Sequence, residues 1–354
     1  MINISANING IRYTPFLCND LYTFSISELS EALSKKATFV LSVDDKNQIA
    51  ISWWVSAKRT RSYPYTRIYN SLDFSGKKLT VIPIVKDEGK EGDRDFLQWD
   101  TVSLMSLLNV YVIISYYKYA EKSSRYKNKI TKQRFDVKQI KFEINKLLSY
   151  QSDALHWNIE QINKVAKMGE NALASYENIS SSLNIEMHSK TSAEKRIKEL
   201  LKGKENFMNL SRDLAQKAQQ RESITVQPKE KLAGIKAVLT IKNYLGGNYY
   251  FTSDEAEINK ENVSLIEAKH TKENKLPSIG DIKDGLLKMI LFTNLENVKI
   301  DNKYYNPIPI LKLTTGSGFD IENINDPNKK ILNLLKKEAK INKFRIIINN
   351  SFFI

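Results

Sequence analysis

From Pro228 onward the chain carries a fixed order of strand and helix patterns, and that order narrows the available folds more than any other feature. GIKAVLTIKNYL (Gly234–Leu245) alternates in part, and the following Gly246-Gly247-Asn248 is a hairpin-type turn. NYYFTSDEAEI and VSLIEAKH follow as two further strands, separated by polar residues from Asn259 to Asn262. SIGDIKDGLLKMILFTNL, residues 278–295, opens after Pro277. Its apolar positions at Ile279, Ile282, Leu286, Met289, Ile290 and Phe292 have the spacing of an amphipathic helix. KIDNKYYNPIPILKL is another strand, and a helix over Lys329–Ala339 and a strand over Arg345–Ile348 close the chain. The order β-β-β-α-β-α-β predicts a mixed α/β fold, with a central mixed sheet flanked by helices.

Within that order, SLIEAKH delivers Glu267 and Lys269 at the end of an apolar run. Residues two apart on a strand share a face, so Glu267, Lys269 and Leu265 project together, and Ile266, Ala268 and His270 project the other way. Asp254 lies thirteen residues upstream on the neighbouring strand, where hairpin geometry can set it beside Glu267. A register one residue different would present Glu255 instead, so Glu255 is kept as an alternative first acid or auxiliary, with Glu257 a further auxiliary. Two acids and an amine suit metal-assisted phosphodiester hydrolysis. Mg²⁺ is typically held by one or two carboxylates plus phosphate and water, and a lysine can orient water or offset phosphate charge. The plain competing account is that these are ordinary charges at a strand end and in a solvated turn.

TSDEAEI…VSLIEAKH resembles the PD-(D/E)xK signature of the restriction-endonuclease-like nuclease superfamily, with Asp254 as first acid, Glu267 as second and Lys269 as the lysine. Ser253 stands where the signature has proline. The resemblance covers roughly residues 230–315 and implies a restriction-endonuclease-like core. It also implies one or two Mg²⁺ ions held by Asp254 and Glu267.

The rest of the chain suggests a division into an N-terminal α/β region (1–120), a basic helical subdomain (121–225) and the catalytic region (226–354). In the first, a short helix near Ser27–Ser34 and strands at Ala37–Val43, Ile49–Val55 and Lys77–Asp87 precede a helix and a buried strand, Val110–Tyr117. This region is expected to serve DNA recognition or to extend the core sheet. WWVSAKRTRSYPYTRIY interleaves Lys58, Arg59, Arg61 and Arg67 with aromatics, a mix suited to DNA contact or to a solvated basic loop. Asp87, Glu88, Glu91, Asp93 and Asp95 read as a loop of solvated acids rather than as a second metal site. From Lys118 to Lys146, Lys118, Lys122, Arg125, Lys127, Lys129, Lys132, Arg134, Lys138, Lys141 and Lys146 face only Glu121, Asp136 and Glu143. Helical spacing then runs to about residue 222, including Glu194–Leu201 and Phe207–Gln220.

A net charge of +14 favours polyanionic partners, although Lys-, Asn- and Ile-rich usage can also follow from an AT-rich genome. Cys18 is the single cysteine, which rules out an intrachain disulfide and a cysteine-built zinc site. No apolar run approaches the roughly 20 residues that span a bilayer, and MINISANING has no secretory pattern. A cytoplasmic protein is therefore expected. The resemblance implies a type II restriction endonuclease. Such an enzyme cleaves double-stranded DNA at a short sequence with Mg²⁺, acts as a homodimer, and is paired functionally with a DNA methyltransferase. A repair or mobile-element nuclease of the same superfamily, and a non-catalytic DNA-binding protein, are the alternatives.

Overall fold

The computed structural model describes residues 2–56, 64–201, 235–243 and 248–354. The chain begins with β1 (Ile2–Ile8), β2 (Thr23–Ser25), α1 (Leu29–Lys35), β3 (Thr38–Ser42), β4 (Gln48–Trp53), α2 (Pro64–Tyr69) and β5 (Lys77–Pro83). It continues through β6 (Val85–Asp87), β7 (Arg94–Phe96), α3 (Trp99–Leu107), β8 (Tyr111–Ser115), β9 (Tyr117–Lys122) and β10 (Ile130–Phe135). Four helices follow: α4 (Val137–Leu148), α5 (Ala154–Asn163), α6 (Val165–Leu183) and α7 (Lys190–Leu201). The C-terminal part holds β11 (Ile235–Asn243), β12 (Asn248–Asn259), β13 (Asn262–His270), α8 (Ile279–Phe292), β14 (Glu296–Ile300) and β15 (Lys303–Tyr304). It ends with β16 (Asn306–Thr314), α9 (Asp326–Asn342), β17 (Arg345–Ile348) and β18 (Ser351–Phe352).

These elements form two compact units. One comprises Met1–Asn19 with Arg212–Ile354, and the other Asp20–Ser211. The fold class is mixed α/β, as the patterning predicts, but the division at 1–120, 121–225 and 226–354 does not match the two units. The reason is long-range pairing. β1 runs parallel to β11, from Ile2↔Ala237 to Ile8↔Asn243, which places the first residues of the chain in the C-terminal sheet. Its Ile4, Ala6 and Ile8 are buried, while the alternating Asn3 and Ser5 face solvent and Asn7 is half-exposed. That alternation is one a half-buried strand needs.

The sheet of the first unit has the order β15-β14-β1-β11-β12-β13-β16-β17-β18. β11, β12 and β13 form an antiparallel meander, and β13, β16 and β17 run parallel through the crossover helices α8 and α9. The expected β-β-β-α-β-α-β order is present, with two additions: KIDNKYY turns back as the β14–β15 hairpin before β16 begins, and β18 pairs antiparallel with β17 after the last expected strand. α8 starts where Ser278 caps it, the Oγ accepting from the Asp281 N–H at 3.1 Å. It is more buried than an amphipathic reading implies, since Lys283 and Lys288 are inside along with the apolar residues.

The second unit is built on the sheet β2-β3-β4-β5-β8. β8 is an edge strand, and α5 covers it with side chains. Trp157 donates its indole N–H to the Val112 carbonyl at 2.7 Å, and Asn158 accepts from the Val112 N–H at 2.7 Å and donates to the Val110 carbonyl at 3.0 Å. An unprotected edge invites pairing with other chains, and here the helix satisfies it. The helices after residue 137 therefore belong to the same body as the five-stranded sheet, rather than to a separate helical subdomain. Lys77–Asp87 is split between β5 and β6, and Val110–Tyr117 between β8 and the start of β9. Both β5 and β8 lie in this sheet and not in the nine-stranded one. Phe207–Gln220 and the Gly246-Gly247 turn fall outside the described residues. Among the described residues no helix is long and apolar enough to cross a membrane.

Candidate active site

The strand pair β12–β13 decides which acids meet. Its register sets Ala256 opposite Leu265 and Glu255 opposite Ile266, so Asp254 continues the ladder beside Glu267. Residues directly opposite in an antiparallel pair share a face. Ser253, fully buried, keeps the register in place, its Oγ within 2.8 Å of the Ile266 carbonyl and 2.7 Å of the Glu255 carbonyl. Asp254 Oδ2 accepts from the Ala268 N–H at 2.8 Å, which turns its carboxylate toward β13.

Glu267 is 1 % exposed and held at both oxygens. Lys269 Nζ is 2.7 Å from its Oε1, and Lys288 Nζ, arriving from α8, is 2.5 Å from its Oε2. Lys269 also reaches Asp284 Oδ2 at 2.9 Å. The helix can come this close because Gly285 faces β13 and β16. A Cβ there would lie 2.7 Å from Leu311 Cδ1 and 3.3 Å from Lys269 Cε. The site is thus a buried ladder of alternating charge built on two strands and one helix.

Burial pushes the Glu267 carboxyl up to about 7, and the neighbouring Asp254 charge adds to the effect, against the pull of Lys269 and Lys288. Burial acts on Asp254 in the same direction, but the Lys288 ammonium, the Ala268 N–H and Lys269 outweigh it, and its carboxyl titrates below the usual range. For Lys269, burial is overcome by Glu267 and Asp284, and the amine stays charged well above its ordinary value. Neighbouring carboxylates driven apart in this way are a recurrent mark of functional sites, although structural ion networks produce it too.

Glu255 belongs to the other face of the sheet. It is buried against Lys312, with Nζ 3.0 Å from its Oε1, and Lys312 lies across from Ala268 in the parallel β13–β16 pairing. His270, also on that face, has Nδ1 2.9 Å from Thr314 Oγ1. The geometry joins Asp254, Glu267 and Lys269, and separates Glu255 from them.

Asp284 and Lys288 were not expected from the sequence, yet a signal for them exists. They are one helical turn apart, and Lys288 is a lone charge inside the apolar run Leu286–Phe292. A charge there must find a partner or stay in water.

The donors fit a hard divalent cation held mainly by solvent and substrate. Asp254, Glu267 and Asp284 supply three carboxylates against the two amines of Lys269 and Lys288, which leaves the ionised cluster short of positive charge. Asp254 and Glu267 provide the pair of carboxylates such an ion requires. Among the described residues no group of three or more Asp, Glu, His or Cys side chains is arranged to hold a metal on its own.

The other predicted contacts are placed differently. Lys58, Arg59 and Arg61 lie outside the described residues. Arg67 is on α2, where it donates to the Trp53 carbonyl at 2.8 Å and stacks its guanidinium 4.2 Å from the Trp53 ring. The acids at 87–95 divide: Glu91 and Asp93 are exposed in the turn of the β6–β7 hairpin, as a solvated loop would have them, and the others are not. Asp87 and Asp95 are buried, Asp87 Oδ1 is 2.7 Å from His188 Nδ1, and Asp95 accepts from Ser56 Oγ at 2.7 Å. Glu88 pairs with Lys86 and Lys129, and Glu91 accepts from the Asn128 N–H. Partners distant in sequence let Asp87 and Asp95 enter the interior.

No protein-family model, curated protein or solved structure matches the chain.

Proposed function

We propose that the protein is a Mg²⁺-dependent endodeoxyribonuclease of the PD-(D/E)xK type, acting as a type II restriction endonuclease on double-stranded DNA. The observation that carries this reading is the meeting of Asp254, Glu267 and Lys269 at the β12–β13 pair, with a parallel strand and a crossover helix directly behind. Asp254 and Glu267 are the metal-holding carboxylates. When bound, the cation offsets charge on the scissile phosphate and makes a coordinated water more acidic. Lys269, charged and aimed by Glu267 and Asp284, orients the attacking water or donates to a phosphate oxygen. Lys288 fixes the Glu267 carboxylate from the helix side. The net charge of +14 draws a polyanionic substrate toward the molecule.

Symmetric target sites match a homodimer, because a twofold protein axis reads a palindrome. In a restriction role the host chromosome needs protection, hence a partner methyltransferase and a cytoplasmic setting. The test is incubation with plasmid and phage DNA in Mg²⁺ or EDTA. Discrete metal-dependent fragments support the restriction reading. Smearing or structure-selective nicking assigns a repair or mobile-element role instead. A salt-sensitive shift without cleavage identifies a non-catalytic binder and overturns the enzyme reading.

A further inference from the structure

The hairpin β9–β10 in the second unit is an unusual piece of sheet. A strand resting on a core should bury every second residue, yet Lys118, Tyr119, Glu121 and Lys122 of β9, and Thr131, Lys132 and Arg134 of β10, are all exposed. Ile130 is buried and Ala120 and Gln133 are half-buried on the side where α6 packs, Tyr176 donating its hydroxyl to Gln133 Oε1 at 2.9 Å, and the rest of the ribbon meets solvent. A lone two-stranded hairpin is marginal in water, so its stability has to come from its anchors, first of all at its base. There Tyr117 stacks on Phe135 with centroids 4.4 Å apart, and Phe135 packs edge-on against Trp53. Tyr117 donates its hydroxyl to the Val55 carbonyl at 2.7 Å. Further along β10 Gln133 donates to the Asp87 carbonyl at 2.8 Å, and at the far end, opposite Lys122, the Ile130 N–H reaches the Glu88 carbonyl at 2.8 Å. The ribbon is anchored at both ends of β10, and most side chains of β9 and of residues 124–127 project from it.

What projects is strongly basic. Lys118, Lys122, Arg125, Lys127, Lys132 and Arg134 are exposed, and Glu121 is the acid among them. Lys118 is engaged with Asp136 and Lys132 with Glu121, whereas Lys122, Arg125 and Lys127 form no ion pair among the described residues. Exposed Tyr119 and Tyr126 add apolar surface, with Arg134 and Lys129 set 5.9 and 5.6 Å from their ring centres. Lys132 has φ of +47°, and the pairing register shifts between Thr131 and Phe135, the mark of a bulge that re-aims side chains. Six-residue strands extend about 20 Å, and a two-stranded ribbon fits a B-form major groove about 12 Å wide.

We propose that the β9–β10 hairpin is a DNA-reading ribbon. It enters the major groove of duplex DNA with Lys122, Arg125 and Lys127 on phosphates and with Arg134 and Tyr119 against base edges. The duplex substrate is taken from the nuclease reading above. The ribbon assigns the element that grips it. A-form RNA is excluded, because its deep, narrow major groove does not admit side chains.

The test uses full-length protein in EDTA and fluorescence anisotropy on labelled DNA and RNA duplexes of about 20 base pairs, titrated between about 50 and 200 mM NaCl. Each phosphate contact contributes a salt slope of roughly −0.9 on logarithmic axes. The variant Lys122→Gln/Arg125→Gln/Lys127→Gln is therefore expected to flatten the slope by about two to three, and Arg134→Ala to weaken DNA binding about tenfold. Glu121→Gln, which removes the ribbon's acid, is expected to tighten binding, a gain that misfolding cannot produce. Wild type that cuts DNA in Mg²⁺ while the triple variant keeps the wild-type slope overturns the ribbon alone. Wild type that neither binds nor cuts DNA overturns both readings. A larger loss on RNA than on DNA assigns the ribbon to RNA and also overturns the proposal.

Discussion

Lys288 is the residue whose removal most directly tests the electrostatic description of the site. It is the helix-side partner of a carboxylate that is 1 % exposed, and methionine matches its length without its charge. Glu267 already titrates at about 7 with both amines in place. Because this lies above the ordinary 4.5, the group's contribution to stability is complete below about pH 4.5 and is lost as the pH rises toward 7. In wild type the loss levels off there. In Lys288→Met the carboxyl titrates still higher, so the loss continues, at ~1.4 kcal/mol per further pH unit. At pH 5 Glu267 is neutral in both proteins and the substitution costs little. At pH 8 the variant should therefore be weaker than wild type by about 1.4 kcal/mol more than at pH 5, roughly a tenfold change in the folding equilibrium. Asp254 titrates in the opposite sense, its stabilisation being lost only as the pH falls below its lowered value, and it stays ionised across this window. Urea titrations in EDTA at about pH 5, 6, 7 and 8 measure the difference, with Glu267→Gln as the background in which it should vanish. A pH-independent penalty, or a pH dependence that survives in Glu267→Gln, would show that Glu267 is not the group whose titration Lys288 controls.

The two candidate first acids separate by phenotype. Asp254→Asn should lower plasmid cleavage more than about 100-fold, beyond the usual effect of changing a group that only orients a metal ligand, while leaving the fold intact by circular dichroism. Glu255→Gln should retain cleavage and lose about 1–3 kcal/mol of stability, because it weakens the buried Lys312 pair on the opposite face. Gly285→Ala places a methyl 2.7 Å from Leu311 and against Lys269. It is expected to cost about 1–3 kcal/mol by overpacking and to reduce cleavage by displacing Lys269. Gly89→Ala, at φ of +91° with its Cβ 2.5 Å from the Asn128 carbonyl oxygen, should lower the melting temperature of the β6–β7 region without altering metal-dependent cleavage.

What could be read from the sequence was local. The strand VSLIEAKH, the helix opening after Pro277 with its apolar spacing, and the helix over Lys329–Ala339 are written in neighbouring residues, and the structure places those elements within a few positions of expectation. The choice between Asp254 and Glu255 could not be read, since a shift of one residue exchanges the faces and only the Ala256↔Leu265 pairing decides it. Lys288 escaped because helical periodicity counts apolar residues, and a buried charge within such a run makes sense only beside Glu267. The unit boundary escaped for a similar reason. INISANI carries no mark that it will pair with β11 more than 200 residues later. Asp87, Glu88 and Asp95 looked solvated because His188, Lys129 and Ser56, which neutralise or bind them, are remote in the chain.

If the Asp254–Glu267–Lys269 cluster hydrolyses DNA with a divalent cation, Glu267→Ala removes cleavage and spares DNA binding. Supercoiled plasmid is incubated with wild type and variant in Mg²⁺, and duplex binding is measured in parallel in EDTA. The expected result is cleavage by wild type that EDTA abolishes, loss of cleavage by more than about 100-fold in the variant, and DNA affinity close to wild type. Full Mg²⁺-dependent cutting by Glu267→Ala, with Glu267 gone from between Lys269 and Lys288, would contradict the assignment.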